Sequence, residues 1–291
     1  MKGLLVSDFE AQIQLLLGND YKIVALGDFV ELYKNGLNDS EKFAVLTFDD
    51  GLKGHATNAV PVLQKYGVCG TFFAITRPLK ETWMVSTHQL HFVLASSPID
   101  EIKSTLDAWL ATNERGAVGI NREVSTQEAT KFYPWDDPKT ASIKYLLNVQ
   151  LKEPVRSEAI GYLFSSLVGG LGEKSSQFYL SAEDLRKMRS LGMEIGSHSH
   201  SHLWLSSLSR EQQEKEVSLS KSVLEDILGE KISLFSYPYG TSDTFSESTI
   251  KLLKDCHYLA AVTTDEGYAA TSPHPFSMNR IDTNEVKKYI A

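Results

Sequence analysis

In this chain of 291 residues, what is scarce excludes more than what is common decides. The two cysteines, Cys69 and Cys256, are too few for a disulfide framework. Cys69 falls in the apolar run 68–75 and is expected to be a buried strand residue. No run of roughly 18 or more apolar residues occurs, so no membrane span is read. Clusters of Lys/Arg with interleaved aromatics are missing, and a formal net charge of −8 argues against a nucleic-acid surface. That charge says nothing about the substrate. The opening Met1-Lys2-Gly3-Leu4-Leu5-Val6 holds no basic segment followed by an apolar one before Ser7-Asp8 interrupts it. No signal peptide is read there, and the cytoplasm is the expected location. Internal repeats and low-complexity segments do not stand out.

What is present is an alternation of helix and strand patterns. The length suits one large α/β domain or two smaller ones. Asp8 is placed to cap a helix running to about Leu17, and Tyr21 to Ala25 reads as a strand. A helix from Gly27 to Tyr33 and a strand from Phe43 to Phe48 follow. Next come a helix from about Ala56 to Tyr66, closed by Gly67, and a strand from Gly70 to Ile75. Such alternation predicts a mostly parallel sheet or barrel. From about Trp83 to Gln177 the pattern turns helical, with no convincing strand. Ile102, Leu106, Trp109 and Leu110 recur at helical spacing, Ile143 to Val149 and Glu158 to Val168 read as helices, and Gly169-Gly170 breaks the last. Residues 83–177 are therefore read as a helical insertion in a single domain spanning 1–291. Alternation then resumes. Ser181 caps a helix that ends near Gly192, and Arg210 to Leu228 and Ser246 to Cys256 read as helices. Strands are expected at Met193 to Ile195, Ile232 to Phe235 and Tyr258 to Val262.

Three stretches carry chemistry, each directly after a strand. The first, Leu46-Thr47-Phe48-Asp49-Asp50-Gly51, ends an apolar strand in adjacent carboxylates, which are costly to bury unless paired or coordinated. The second, Gly196-Ser197-His198-Ser199-His200-Ser201-His202, ends a strand in three histidines. The third, Phe235-Ser236-Tyr237-Pro238-Tyr239-Gly240, offers a fixed turn that could present a backbone N–H to a developing oxyanion. Strand C-terminal ends are where α/β folds place active sites. Two histidines and a carboxylate are a common ligand set for a catalytic divalent metal with an open position, leaving the second aspartate as a base. His198 and His202 converge if the loop between them is tight; spacing alone leaves open whether His200 is a ligand instead. The bland alternatives are an Asp-Gly turn and a histidine-rich surface loop.

In this order, the three stretches resemble the polysaccharide deacetylase family, the carbohydrate esterases of the NodB-homology type. The family's motifs are Thr-Phe-Asp-Asp-Gly, His-Ser/Thr-x-x-His and Arg-x-Pro-Tyr/Phe-Gly. The resemblance covers about Asp8 to Arg77 and Tyr179 to Asp282. It implies an α/β fold, a distorted (β/α) barrel, and a divalent metal, most often zinc. It implies Asp50, His198 and His202 as metal ligands, Asp49 as the general base, and Tyr239 as the source of a backbone N–H for the oxyanion. The implied reaction is removal of an acetyl group from an N-acetylated sugar, with a small-molecule or oligosaccharide substrate. Alternatives are a deformylase or other amide C–N hydrolase on the same fold, and a saccharide-binding protein with impaired catalysis.

The chain departs from the family at three points. Ser236 stands where the family has the arginine that orients the base, and Arg280 is the candidate substitute. The late Leu-x-Leu-x-His motif carrying the usual general acid is missing. The family often has one more strand, bearing a histidine, ahead of the matching region. For the missing acid, His88 and His91 share a helix face just inside the insertion, with His274 the weaker rival. One of them contacting substrate beneath a covering insertion is the sharper expectation; packing inside the insertion is the plainer one. His55 is expected to be structural.

Overall fold

Two strands too short to stand alone open the fold. β1 (Tyr21–Val24) and β2 (Lys42–Val45) pair in parallel as a separate two-stranded sheet. The computed structural model describes residues 4–38, 40–113 and 125–290. Six further strands form one all-parallel sheet whose spatial order follows the sequence. They are β3 (Thr47–Phe48), β4 (Thr71–Ala74), β5 (Glu194–Ser197), β6 (Leu234–Ser236), β7 (Ala260–Glu266) and β8 (Met278–Arg280). A curled parallel sheet surrounded by helices is the incomplete (β/α) barrel that the alternation predicts.

Residues between the strands fold into helices by ordinary signals. Ser181 and Ser209 make reciprocal capping boxes with Asp184 and Gln212, starting helices Ala182–Ser190 and Arg210–Leu228. Gly229 ends the second in the left-handed conformation. All four residues of β4 are buried, as expected of a parallel strand covered on both faces. Phe72, Phe73, Phe235 and Tyr237 are each almost wholly buried around it. Each such side chain contributes about 1.5–3 kcal/mol of burial.

The described residues cluster as two compact units. One is Trp83–Lys174, and the other comprises the described residues on either side of it. In the first unit, helices Ser86–Ser96, Ile99–Thr112 and Val155–Leu167 bury Val93, Ile102, Leu106, Leu110, Ile160, Leu163 and Phe164. No strand occurs among its described residues.

Several expectations need correction. The strand expected from Phe43 to Phe48 breaks at Leu46, where the chain leaves the partner of β1 to join β4; the Leu46 carbonyl accepts from Thr71 N–H at 2.8 Å. Asp8 is not an N-cap. The first helix, Val6–Gly18, starts earlier, with Leu5 in the cap position, and Asp8 sits in its acidic first turn. Cys69 is only half-buried and precedes β4, because the strand begins at Thr71. Strands β5, β6 and β7 run one to four residues further than their apolar runs, ending at polar Ser197, Ser236 and Glu266.

Candidate active site

The site is assembled from the ends of β3, β5, β6 and β8, within the sheet-bearing unit. After Phe48 the chain turns sharply, with Asp50 at φ 71° and Gly51 at φ 64°. Glycine is favoured at 51, because the backbone is left-handed and a Cβ there would lie 3.1 Å from the Ala74 Cα. This turn separates the two carboxylates. Asp49 faces Arg280, while Asp50 faces the histidines.

The histidine loop is as tight as convergence demands. Ser199 (φ 62°) and His202 (φ 55°) both adopt the left-handed region, and His202 N–H donates to Ser199 Oγ at 3.0 Å. His198 Nε2 and His202 Nε2 thereby come within 3.3 and 3.4 Å of Asp50 Oδ1. Both histidines are buried. His198 Nδ1 lies 2.7 Å from the Ser236 carbonyl oxygen, which can only accept. The neutral ring therefore carries its proton on Nδ1 and turns a lone pair toward Asp50. His200 is turned elsewhere, with Nδ1 2.9 Å from Thr76 Oγ1.

These three donors fit a divalent metal. All three ligand atoms lie within 4.8 Å of one another. Separations of 3.3 and 3.4 Å match the edge of a tetrahedron built on metal–ligand bonds of about 2.0–2.1 Å. The surroundings are strongly negative. Burial alone would push the His198 pKa down, but the Asp49 and Asp50 carboxylates outweigh it and hold the pKa above the ordinary value. The same negative charge that favours a proton on His198 favours a metal cation in the proton's place.

Arg280 occupies the position that the missing Arg at 236 would serve. Its Nη1 and Nη2 donate to Asp49 Oδ1 and Oδ2 at 3.0 and 2.7 Å, a bidentate grip. The guanidinium is itself fixed, with Nε donating to the Thr263 carbonyl at 2.5 Å. A register shift in β7 between Val262 and Glu266 lies at that carbonyl. Burial would raise the Asp49 pKa, but the charge of Arg280 and then that of His198 prevail, holding it below the usual carboxylate range. Asp49 is therefore ionised at neutral pH.

Tyr239 packs beside His202. Its backbone is in the left-handed region (φ 64°), its carbonyl accepts from Thr264 Oγ1 at 2.9 Å, and its ring centroid is 4.7 Å from that of His202. His55 packs against Phe48 and Phe72, which stack on each other, and burial pushes its pKa down to about 4, so it stays neutral in the core. His274 Nδ1 accepts from the Phe276 N–H at 3.1 Å. His88, 3% exposed, and His91 lie on helix Ser86–Ser96 of the helical unit.

One residue that supports the candidate site escaped the sequence reading. Glu216, on helix Arg210–Leu228, is 8% exposed. Its Oε2 accepts from the backbone N–H of His200 at 3.0 Å and of Ser201 at 2.7 Å, bracing the histidine loop from behind. The available signal was a charged residue on a helix face shared with Val217 and Leu224.

A family model described as polysaccharide deacetylase matches residues 36–104 and 156–261, more than half of the chain. The Bacillus subtilis protein YxkH is 20% identical over 274 residues, covering 94% of this chain and 63% of that protein. The poly-beta-1,6-N-acetyl-D-glucosamine N-deacetylase of Staphylococcus epidermidis is 33% identical over 98 residues, 34% of this chain and 32% of that protein. The chain thus spans less than two thirds of the length of either relative. The structure of the Streptococcus pyogenes deacetylase PplD in complex with acetate is similar in fold, with a TM-score of 0.61 at 17% identity, covering 100% of this chain and 90% of that one.

Proposed function

The chain belongs to the polysaccharide deacetylase family, and on that premise we propose that it is a metal-dependent hydrolase removing the acetyl group from an N-acetylated saccharide. The observation that supports this most is the convergence of Asp50, His198 and His202 beside a second carboxylate, Asp49, gripped by Arg280. A ligand triad needs only one carboxylate. The ionised, oriented neighbour is what hydrolysis adds.

In this reading Asp50, His198 and His202 hold the metal, with zinc the favoured ion. When bound, a divalent cation supplies Lewis-acid polarisation of the amide carbonyl and acidifies water. Asp49 accepts the proton of the attacking water at a carboxylate oxygen. Arg280 keeps that carboxylate aimed and ionised until then. The Tyr239 backbone N–H is assigned to the oxyanion that develops on the former carbonyl oxygen. The leaving amine needs a proton in return, and His88 or His91 is proposed to supply it or to contact substrate. His88→Gln and His91→Gln test that role, which lowers kcat at unchanged metal content. We propose one catalytic domain with a helical insertion, a saccharide as the partner and the cytoplasm as its place, the last tested by fractionation. No helix among the described residues is long and apolar enough to cross a membrane.

The impaired-binding-protein alternative rested on a missing arginine and a missing acid. The ion pair of Arg280 with Asp49 speaks against the first ground. The deciding experiment is acetate release from oligomers of N-acetylglucosamine by zinc-loaded protein. Stoichiometric acetate and free amine are expected. Turnover of a formamide but of no N-acetyl sugar would transfer the proposal to the deformylase alternative.

A further inference from the structure

One exposed aromatic side chain beside the site is packed on one edge only. Trp204 is 44% exposed and lies two residues beyond His202. Its ring meets the Tyr239 ring at a centroid distance of 5.6 Å, and Tyr239 in turn meets His202 at 4.7 Å. A continuous row of rings thus runs from the imidazole of the ligand cluster out to solvent. Of the other exposed aromatics, Tyr162 is paired with Trp109, Phe132 with Tyr145 and Tyr268 with Tyr289, and Trp135, 97% exposed, lies on the helical unit, so Trp204 is the exposed ring that joins the ligand cluster.

The backbone beneath Trp204 is held firmly. Its carbonyl accepts from the Ser207 N–H at 3.1 Å and the Ser207 hydroxyl at 2.7 Å. The adjoining short turn Leu205–Ser207 buries Leu205 completely. Ser206 ties the turn to the loop after β6, through N–H to the Thr244 carbonyl at 3.0 Å and Oγ to the Asp243 carbonyl at 2.6 Å. Trp204 keeps one edge contact, with Tyr239, and leaves 44% of its surface in water on a fixed loop. The same arrangement is a rigid, amphipathic contact surface that loses little entropy when a ligand covers it.

We propose that Trp204 forms a saccharide subsite, stacking on the apolar C–H face of the pyranose ring next to the one whose acetamido group lies at Asp50, His198 and His202. This rests on the deacetylase reading above. The indole Nε1–H, which has no hydrogen-bond partner among the described residues, is then available to a sugar hydroxyl or ring oxygen. The subsite selects a chain of at least two sugar residues over a free monosaccharide. It also separates a saccharide from a small non-sugar acetyl compound, which would reach the metal ligands without touching Trp204.

The test compares wild type, Trp204→Ala and Trp204→Phe, all zinc-loaded, on N-acetylglucosamine oligomers of increasing length and on a small aryl acetate ester. Trp204→Ala is expected to raise KM for oligomers about tenfold, the scale of one aromatic contact. The loss falls in KM rather than kcat, exceeds the loss on the ester, and is largely restored by Trp204→Phe. An oligomer KM that is unchanged in Trp204→Ala overturns the subsite, as does an equal loss on ester and oligomer. Should wild type release no acetate from any oligomer, indole fluorescence titration with the same oligomers decides separately. Quenching lost in Trp204→Ala upholds the subsite while the catalytic reading falls; no Trp204-dependent binding removes both.

Discussion

The two units of this chain treat their backbone differently. In the sheet-bearing unit, Asp50, Ser199, His202 and Tyr239 all sit in the left-handed region, three of them as site residues and one as the hinge between two histidines. In the helical unit, positive φ among the described residues falls only on Gly169 and Gly170. A non-glycine residue in that region costs roughly 1–2 kcal/mol. The helical unit avoids the cost by using glycine where its chain must turn. The sheet unit accepts it four times within one site and ties the surrounding backbone down, with His202 N–H donating to Ser199 Oγ at 3.0 Å. Gly51 O accepts from Leu180 N–H at 2.8 Å, Ser199 O from Thr76 N–H at 3.3 Å and Tyr239 O from Thr264 Oγ1 at 2.9 Å. Asp20 and His257 in the same unit share the conformation in turns that follow helices, so what sets the site apart is that four such residues gather in it.

If strain at the strand ends serves chemistry, the largest effect should come from the group that chemistry uses. Asp49→Asn keeps size and shape but removes the base, and kcat should fall by about 10²–10⁴-fold. Full activity in that variant would break the comparison at once. Arg280→Lys retains the charge and loses the two-pronged grip, so kcat should fall by roughly 10–100-fold with folding intact. Next is the brace. Glu216→Ala frees the backbone amides of His200 and Ser201, and zinc affinity measured against a competing chelator should weaken by about tenfold, with Glu216→Gln milder. Unchanged affinity would mean that the histidine loop holds its strained form unaided. The smallest effect belongs to the other unit. Gly170 (φ 62°) has open space around a would-be Cβ, so Gly170→Ala should cost only about 1 kcal/mol of stability in denaturant unfolding. Zinc affinity should not change.

The strand-end chemistry was legible because each motif combines an apolar run with residues that only function explains. Asp49 and Asp50 follow Phe48 without a polar spacer, and three histidines follow a buried strand. Which histidine turns away was not legible, since left-handed Ser199 and His202 decide it and neither residue type announces that conformation. Arg280 was legible as a candidate only through the vacancy at Ser236. Strand β8, which carries it, is three residues long and has no alternation to detect. The break at Leu46 was invisible for a related reason: an apolar run reads the same whether or not it changes sheets. Glu216 lay outside reach because its partners are backbone amides fifteen and sixteen positions away, brought to it by folding.

The central claim is a metal held by Asp50, His198 and His202, with Asp49 beside it and free of it. Elemental analysis of wild type, His198→Ala and Asp49→Asn, each dialysed after loading with zinc, tests this most directly. About one ion per chain is expected in wild type and in Asp49→Asn, with a sharp loss in His198→Ala. Stoichiometric zinc in His198→Ala, or its loss in Asp49→Asn with retention in Asp50→Asn, would contradict the assignment.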